Sequence, residues 1–302
     1  MKLTILGCYS ATPRTFTNPT AQVLEIKGHL FLIDCGEGTQ VQLRKFKVKF
    51  SRIKHIFISH LHGDHFYGLI GLISTFRLLG READLHIYGP KGIKEAIVLQ
   101  LKLSDSYTNF KLCFHELETT KSICIYEDEK VSVTTIPLNH RVYTNGFLFK
   151  EKNLERKLDI ARVLEHDIDT SYYRSIKQGK DVPNNSGELI SNTLLTKDPL
   201  PGKSYAFCSD TKYKEAIIPL IKHVDALYHE STFLDEHEHL CDKTKHSTAK
   251  QAATIAKKAD VKQLILGHFS TRYGDIELFK EEALEIFEKV LLADDGKVFD
   301  FS

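Results

Sequence analysis

Four side chains that bind metal ions lie within one hexapeptide of the sequence, His60-Leu61-His62-Gly63-Asp64-His65. His60 and His62 alternate along an extended loop, whereas Asp64 and His65 follow the bend at Gly63, so the two pairs can face two different ions. Three imidazoles packed together without a metal would leave ring nitrogens that are hard to satisfy. Imidazole and carboxylate ligands without a thiolate favour zinc, with manganese or iron as competitors.

One loop cannot complete the coordination of two ions, so further ligands must come from distant parts of the chain. Three polar residues follow apolar, strand-like segments: His140 after 131–138, Asp210 after 205–208 and His268 after 262–266. The carboxyl ends of strands are where α/β sheets place their ligands. A lone histidine after a strand is structural about as often as it is a ligand, and the prediction therefore depends on the three residues together with the hexapeptide.

The elements that must position these residues alternate along the chain. Apolar, β-branched runs predict strands at 3–6, 22–26, 30–33, 53–58, 85–88, 205–208, 224–228 and 262–266. Helical patterns are predicted at 67–79, from Pro90, at 214–221, at 248–258 with a capping box between Thr248 and Gln251, and at 277–290. The alternation predicts a layered α/β fold.

Residues 151–203 interrupt this alternation. The segment is rich in charged residues and has no sustained periodicity apart from a short helix near 158–164. Long irregular segments in compact domains are usually functional or mobile. We predict a single domain over 1–302, with an insertion at 151–203 that projects from it.

Composition limits the function classes. The 302 residues include 41 Lys and Arg against 40 Asp and Glu, so contact with nucleic acid requires a local patch of charge. None of the six cysteines forms a CxxC pair, which is typical of reduced thiols in the cytoplasm. No run approaches the roughly 18 apolar residues of a membrane span, and the first residues lack a secretory pattern. We therefore expect a cytoplasmic protein with no membrane partner.

The order of the predicted ligands resembles the metallo-β-lactamase superfamily and, within it, the ribonuclease Z family of endonucleases that trim the 3′ end of precursor tRNA. The segments that carry the resemblance are 31–40, 88–92, 229–232, 246–248 and 267–273. The resemblance implies an α/β fold, a four-layer αββα sandwich with a protruding arm. It further implies that two zinc ions bind, the first to His60, His62 and His140 and the second to Asp64, His65 and His268, with Asp210 as the bridge.

The same resemblance implies a zinc-dependent endoribonuclease that leaves a 3′-hydroxyl on the tRNA and a 5′-phosphate on the trailer. His246 matches the proton donor of the family and Glu230 the residue that orients it, while Asp64 doubles as ligand and base. A homodimer is also implied, in which the arm of one subunit grips the tRNA that the other cuts; no DNA substrate is expected. The residues expected to contact RNA are Tyr172, Tyr173, Arg174, Lys177, Lys180 and Arg272.

Three differences from the family pattern stand out. In place of its Pro-x-Lys-x-Arg-Asn loop the chain has 13–18, where Thr15 and Thr17 replace the two cations and Arg14 is the nearest substitute. The arm lacks the Gly-Pro turn of the family at 167–174, but residues 170–180 keep a charge of +3 beside two tyrosines, which suits a phosphate backbone. Ser231 replaces the usual alanine, a small change.

Two other functions fit parts of the sequence. The altered loop at 13–18 favours a small-molecule hydrolase of the same fold, such as a phosphodiesterase or an arylsulfatase-like enzyme, but such an enzyme needs no basic arm. A non-catalytic RNA-binding protein with a vestigial metal site is the third alternative. The presence of all seven ligands with His246 and Glu230 disfavours it.

Overall fold

The computed structural model describes residues 1–152, 155–199 and 201–301. It contains two compact units, one formed by Met1–Lys150 with Lys203–Ser302 and the other by Glu151–Gly202. We call the first unit the core and the second the arm. Within the described ranges, none of the helices has the length and apolar character that crossing a bilayer requires.

The strands are β1 (Lys2–Gly7), β2 (Ala21–Ile26), β3 (His29–Ile33), β4 (Ile53–Phe57), β5 (Leu85–Pro90), β6 (Leu112–Leu117), β7 (Cys124–Glu127), β8 (Val131–Pro137), β9 (Asn145–Glu151), β10 (Lys157–Leu158), β11 (Val182–Pro183), β12 (Leu189–Ile190), β13 (Thr196–Lys197), β14 (Ser204–Cys208), β15 (Ala226–Glu230), β16 (Leu264–Gly267), β17 (Val290–Leu292) and β18 (Val298–Asp300). The helices are α1 (Thr39–Lys45), α2 (Gly63–Phe66), α3 (Gly68–Leu78), α4 (Ile93–Leu103), α5 (Ile160–Glu165), α6 (Tyr173–Lys177), α7 (Asn192–Leu195), α8 (Cys241–Thr244), α9 (Ala249–Lys258) and α10 (Glu277–Leu284). Short 3₁₀ helices cover Phe50–Arg52, Thr170–Tyr172, Glu215–Leu220 and Asp235–Leu240.

Two sheets form the centre of the core. The first has the strand order β18-β1-β2-β3-β4-β5-β6 and the second the order β17-β16-β15-β14-β9-β8-β7. Strands β3 to β6 are parallel to one another, as are β14 to β17. The carboxyl ends of the parallel strands within each sheet therefore meet at one edge, where polar side chains from separate parts of the sequence are brought together.

Aromatic side chains fill the space between the two sheets. Phe31 and Phe57 of the first sheet lie 5.5 and 5.3 Å from the ring of Phe149 in the second, distances at which aromatic pairs attract each other. On the outer face of the first sheet, a second apolar cluster includes Leu72 of α3 and Ile97 of α4. Helix α9 turns its buried alanines towards β15 and β16 of the second sheet. The predicted four-layer αββα fold is confirmed.

Several elements match the sequence prediction and two helices do not. The capping box of Thr248 and Gln251 is present at the start of α9. The helix predicted to run to Val290 is wrong beyond Leu284, because Val290 begins a strand that pairs with Leu264. The helix predicted at 214–221 is a 3₁₀ helix that contains Pro219, a residue without an amide proton for α-helical bonding.

The arm is more regular than its sequence indicates. Its helices α5, α6 and α7 and the two small antiparallel pairs β10–β13 and β11–β12 surround an apolar cluster of their own. This cluster consists of Val163, Ile168, Ile176, Val182, Ile190 and Leu195. Five of these residues lie in five different short elements and Ile168 lies in a connecting segment, so no single periodicity could reveal the cluster in the sequence. The short helix predicted near 158–164 is found at Ile160–Glu165.

Candidate metal centre and active site

The expected metal ligands follow strands of the core. His60 comes shortly after β4, His140 after β8, Asp210 after β14 and His268 directly after β16. The remaining ligands belong to the hexapeptide 60–65, in which α2 begins at Gly63. A Cβ at position 63 would lie 2.4 Å from the ring of Tyr67, so a larger residue at the start of α2 would require this ring to move.

Two of these ligands adopt a backbone conformation that side chains rarely tolerate. Asp210 has φ +61° and His268 has φ +60°, in the left-handed region where Asn, Asp and His are enriched among non-glycine residues. Asp34, which follows β3, has φ +56°. Such values persist only where the surroundings impose them, and they cluster at functional sites. The backbone geometry thus marks the same edge of the sheets that the ligand pattern marks.

The first group of ligand atoms consists of side chains from three separate segments. Nε2 of His60 lies 3.0 Å and Nε2 of His140 lies 3.2 Å from Nδ1 of His62. Oδ2 of Asp210 lies 3.6 Å from Nε2 of His60 and 3.7 Å from Nε2 of His140. One ligand atom from each of the four residues lies within 4.8 Å of the others.

The second group shares Asp210 with the first. Oδ1 of Asp210 lies 3.3 Å from Nε2 of His65 and 3.2 Å from Nε2 of His268. Oδ2 of Asp64 lies 3.4 Å from Nε2 of His65 and 3.5 Å from Nε2 of His268. The two carboxylate oxygens of Asp210 therefore face different groups of imidazoles.

Hydrogen bonds on the far side of the rings fix which nitrogen faces the centre. Ser59 Oγ donates to Oδ2 of Asp34 at 2.8 Å, so it accepts from Nδ1 of His60 at 3.0 Å. Asp34 Oδ2 also accepts from Nδ1 of His65 at 2.7 Å. Because Nδ1 carries a proton in both rings, Nε2 is the nitrogen that faces the ligand groups. Orientation by a second layer of partners is the usual arrangement around protein-bound metals.

The rings of His140 and His268 are also oriented by hydrogen bonds from Nδ1. Nδ1 of His140 donates to the carbonyl oxygen of Lys245 at 3.0 Å. Thr232 Oγ1 donates to Oε2 of Glu230 at 2.6 Å and accepts from Nδ1 of His268 at 2.9 Å. The Nε2 atoms of His65 and His268 are buried and have no hydrogen-bond partner in the described structure. Both nitrogens lie within 3.5 Å of carboxylate oxygens of Asp64 and Asp210, so a cation between these atoms would give each nitrogen a partner.

The donor set and its spacing fit divalent metal ions. Ligand atoms about 2.0–2.1 Å from a tetrahedral zinc ion lie about 3.3–3.4 Å from each other. The distances between ligand atoms scatter around that value. They range from 3.0 Å between Nε2 of His60 and Nδ1 of His62 to 3.7 Å between Nε2 of His140 and Oδ2 of Asp210. The fold with these His and Asp groups therefore indicates a divalent-metal centre.

The charge of the centre keeps its carboxylates ionised. Burial raises the pKa of Asp210, but the facing imidazoles of His268, His65 and His60 outweigh it and hold the pKa well below its usual range. Burial likewise raises the pKa of Asp64, and the charge of His65 more than compensates. Burial lowers the pKa of His65, but Asp210, Asp64 and Asp34 outweigh it and raise that pKa well above its usual range. A metal ion would therefore bind His65 by displacing the proton of Nε2, since ionised carboxylates and neutral imidazoles are the forms that bind metals.

A second polar constellation borders the metal groups. Glu230, at the end of β15, is fully buried, and its Oε1 lies 2.8 Å from Nδ1 of His246. Backbone amides of Thr211, Thr232 and Ser247 also donate to the Glu230 carboxylate. Burial lowers the pKa of His246, but the neighbouring Glu230 charge outweighs it and raises the pKa to about 9. Glu230 therefore orients the His246 ring and favours its protonated form.

These groups open into a cleft of about 580 Å³. Its lining includes His62, Asp64 and His246 together with two cations, Arg141 and Arg272. Arg14 is not among the lining residues, because its guanidinium donates to the backbone carbonyls of Thr271 and Tyr273. The cleft thus combines the metal groups, a proton donor and positive charge.

Comparison with known proteins identifies the family. A ribonuclease Z of Bacteroides thetaiotaomicron is 48% identical over 292 residues, which cover 97% of this chain and 92% of the relative. The chain belongs to the ribonuclease Z family. It is accordingly a ribonuclease Z-type enzyme, a phosphodiester-hydrolysing endonuclease. Residues 1–177, more than half of the chain, also match the model of the family described as anti-Pycsar protein Apyc1, so the chain belongs to that sequence family as well.

Solved structures agree with the ribonuclease Z assignment. The crystal structure of human tRNase Z, short form, has a TM-score of 0.74 and 28% identity, and the similarity covers 100% of both chains. The metallo-β-lactamase fold protein YhfI from Bacillus subtilis has a TM-score of 0.67 and 19% identity, with 99% of this chain and 98% of the other covered. The second comparison concerns the fold alone. The fold is that of the metallo-β-lactamase superfamily.

The structure brings together the predicted metal ligands, Glu230, His246 and Arg272 in one region of the core. The predicted RNA-contacting residues at 172–180 lie on the arm instead. Tyr172, Arg174, Lys177 and Lys180 are exposed there, whereas Tyr173 is half-buried and packs against the apolar cluster of the arm. Tyr173 is therefore less accessible for stacking on a base than the sequence prediction assumes.

Sequence reasoning missed three residues of the site. Asp34 orients His65, Thr232 orients His268, and Arg141 lines the cleft. A signal for the first two was present, since both belong to segments, 31–40 and 229–232, that carry the family resemblance. The signal for Arg141 was weaker: a cation directly after a predicted ligand.

Proposed function

We propose that the protein is a zinc-dependent endoribonuclease that removes the 3′ trailer from precursor tRNA. The observation that carries the proposal is the pairing of the Asp210-centred ligand groups with His246 and Glu230 in a cleft that also holds Arg141 and Arg272. The family relationship and the similarity to human tRNase Z support this substrate class.

Two zinc ions would be held by the residues described above. His60, His62 and His140 would bind one ion, Asp64, His65 and His268 the other, and Asp210 would bind both, because its two oxygens face different groups. When bound, such ions supply a water that ionises near neutral pH and neutralise charge on the phosphate oxygens. Manganese or iron would suit the same imidazole and carboxylate ligands.

The chain's own residues would handle the protons. Asp64 would accept the proton of the attacking water, because its carboxylate is ionised and lines the cleft. As the water oxygen bonds to phosphorus and the bond to the 3′-oxygen breaks, His246 would donate its proton to that leaving oxygen. Glu230 would keep His246 protonated and oriented through the 2.8 Å contact. The products are a 3′-hydroxyl on the tRNA and a 5′-phosphate on the trailer.

The arm would bind the tRNA body. Arg174, Lys177 and Lys180 are exposed cations on or just after α6, and each would neutralise backbone phosphate. The family resemblance adds a homodimer to this proposal, with the arm of one subunit on the tRNA that the other cuts. Arg272 would contact the RNA from the cleft. We expect the enzyme in the cytoplasm, since its six cysteines are free thiols.

The decisive experiment is cleavage of precursor tRNA by the zinc-loaded protein, with the product ends mapped. Precursors with and without encoded CCA should be compared, and His246→Ala is the inactive control. We expect a single cut at the 3′ end of the tRNA body in the absence of encoded CCA. Failure to cut any precursor, with hydrolysis of bis(p-nitrophenyl) phosphate intact, would reject the tRNA substrate while keeping the hydrolytic centre.

A second candidate is hydrolysis of small phosphodiesters. It is favoured by the loop at 13–18, where two threonines replace cations and Arg14 binds backbone carbonyls rather than facing the cleft. Comparing kcat/KM for cyclic mononucleotides with that for precursor tRNA decides between the two candidates.

A further inference from the structure

A second cluster of metal-ligating side chains lies at the amino ends of β5 and β6. His86 of β5 and Cys113 of β6 are register partners across this parallel pair, and Asp84 immediately precedes β5. One ligand atom from each of the three residues lies within 4.8 Å of the other two. We call Asp84, His86 and Cys113 the rim cluster.

The rim cluster is distinct from the catalytic groups. The catalytic ligands of the hexapeptide follow the carboxyl end of β4, to which β5 and β6 are parallel. His86 and Cys113 are the second residues of β5 and β6, so they lie near the amino ends of these strands, opposite the carboxyl ends that position the catalytic ligands. The cluster also includes a thiol, which the catalytic groups lack.

The His86 ring is held in place by its neighbours. It stacks with His55 at a centroid distance of 5.0 Å and with His115 at 5.4 Å. Its Nδ1 lies 3.1 Å from Nε2 of His115, a spacing like the 3.0 and 3.2 Å between imidazoles of the catalytic centre.

The remaining two ligands are open to a metal. His86 and Cys113 are half-buried and Asp84 is exposed, so an ion can reach all three. Among the described residues, no side chain donates a hydrogen bond to the Asp84 carboxylate, and no side chain forms a hydrogen bond with the Cys113 sulfur. The nearby Arg81 guanidinium is engaged by the carbonyl oxygens of Ile53, Ala83 and Asp84.

We propose that the rim cluster binds one further divalent cation of thiophilic character, with zinc as the preferred ion. A thiolate, an imidazole and a carboxylate supply three of the four tetrahedral positions, and water completes the fourth. Binding releases the Sγ proton of Cys113 to solvent. The ion links β5 to β6, the edge strand of the first sheet, and so stabilises that edge without taking part in catalysis.

Cobalt(II) is the probe that separates this site from the catalytic one. A thiolate bound to Co²⁺ gives a sulfur-to-metal charge-transfer absorption, which a centre of imidazoles and carboxylates cannot give. The full-length protein, freed of metal and titrated with Co²⁺, should show this absorption. It should disappear in Cys113→Ser, weaken at least several-fold in His86→Ala, and persist in Asp210→Asn, which alters only the catalytic centre.

Cys124→Ser is the matched control, because Cys124 is an exposed thiol on β7 outside the rim cluster. It should leave the absorption unchanged. Absence of the band in the wild-type protein at saturating Co²⁺, its retention in Cys113→Ser or its loss in Cys124→Ser would each overturn the proposal. Thermal melts provide a second readout, since zinc should raise the Tm of Cys113→Ser less than that of the wild type.

Discussion

Nδ1 of His246 lies 2.8 Å from Oε1 of a fully buried glutamate, Glu230. The glutamate also accepts hydrogen bonds from three backbone amides and from the hydroxyl of Thr232. Because Thr232 in turn orients His268 through Nδ1, the proposed proton donor His246 and the proposed metal ligand His268 share one hydrogen-bond network. A change at Glu230 should therefore affect both chemistry and metal binding.

Glu230→Gln should lower kcat for precursor tRNA by about 100-fold, in the range of general-acid effects. The Glu230 charge raises the pKa of His246 to about 9, and its removal lowers that pKa. His246 must be protonated to act as the acid, so the alkaline limb of the pH–rate profile should move to lower pH. In the wild-type protein, bound cations would lower the pKa of His246 below about 9. The alkaline limb of the wild-type pH–rate profile is therefore expected at or below pH 9.

The control for this substitution is Glu236→Gln. Glu236 is an exposed carboxylate 3.3 Å from another histidine, His237, and its loss should leave the profile unchanged. An unchanged alkaline limb in Glu230→Gln would contradict the assigned role, even if the rate falls.

Asp34→Asn should weaken metal binding by about 10- to 100-fold, as expected for a partner that orients a ligand. The substitution removes the charge that faces Nδ1 of His65 at 2.7 Å. Competition against a chelator measures the affinity, and thermal melts with and without zinc provide an independent check. Asp105→Asn is a matched control, because Asp105 is also an aspartate with positive φ but is exposed. Equal zinc affinity in Asp34→Asn and the wild type would disprove the prediction.

The triple substitution Arg174→Ala, Lys177→Ala and Lys180→Ala should weaken binding of tRNA without changing hydrolysis of bis(p-nitrophenyl) phosphate. Loss of up to three phosphate contacts should reduce the slope of log K against log salt by roughly 2–3. A matched variant removes three exposed lysines of the core, Lys222, Lys257 and Lys289. A parallel loss of both activities would indicate that the arm cations are needed for folding rather than for RNA.

Asp295→Asn should stabilise the protein at neutral pH. Burial is the main cause that raises the pKa of Asp295 to about 6, with a further contribution from Asp294. The native state holds this proton more tightly than the unfolded state, so the contribution of the group to stability falls as the pH rises from about 4 to 6. Asparagine avoids the cost of the buried charge, about 1 kcal/mol after solvent screening.

Thermal melts at pH 4.5 and pH 7.5 test this prediction. The Tm gain of Asp295→Asn should be larger at pH 7.5, and it should be negligible for the exposed Asp300→Asn at either pH. A gain that is larger at pH 4.5 would show that the pKa of Asp295 is not raised. The hydrogen bond from Asn18 to Oδ2 can be kept by the amide oxygen of the new residue.

The sequence predicts those parts of the molecule whose signals are local. The hexapeptide at 60–65, the apolar strands and the capping box of α9 each lie within one short window, and their positions in the structure match. The remote residues His140, Asp210 and His268 could be proposed because each follows an apolar strand. Their mutual distances depend on the pairing of strands far apart in sequence, which no local pattern encodes.

The failures have the same physical origin. Val290 reads as part of an apolar helical face, but its place beside Leu264 in a parallel pair decides in favour of a strand. Asp34 looks like an ordinary polar residue at a strand end, and only the fold brings it to His65. The cluster inside the arm is assembled from short elements, of which only the helix at Ile160–Glu165 is predicted from the sequence.

The left-handed backbone at Asp210 and His268 restricts how these positions can change. Glycine adopts such a conformation most easily but brings no donor atom, while cysteine and glutamate bring donors but fit the conformation poorly. Asparagine fits but leaves the bridge without its negative charge. Two unrelated demands, a donor atom and a left-handed backbone, thus act together at both positions, and Asp, His and Asn are the side chains that suit them best.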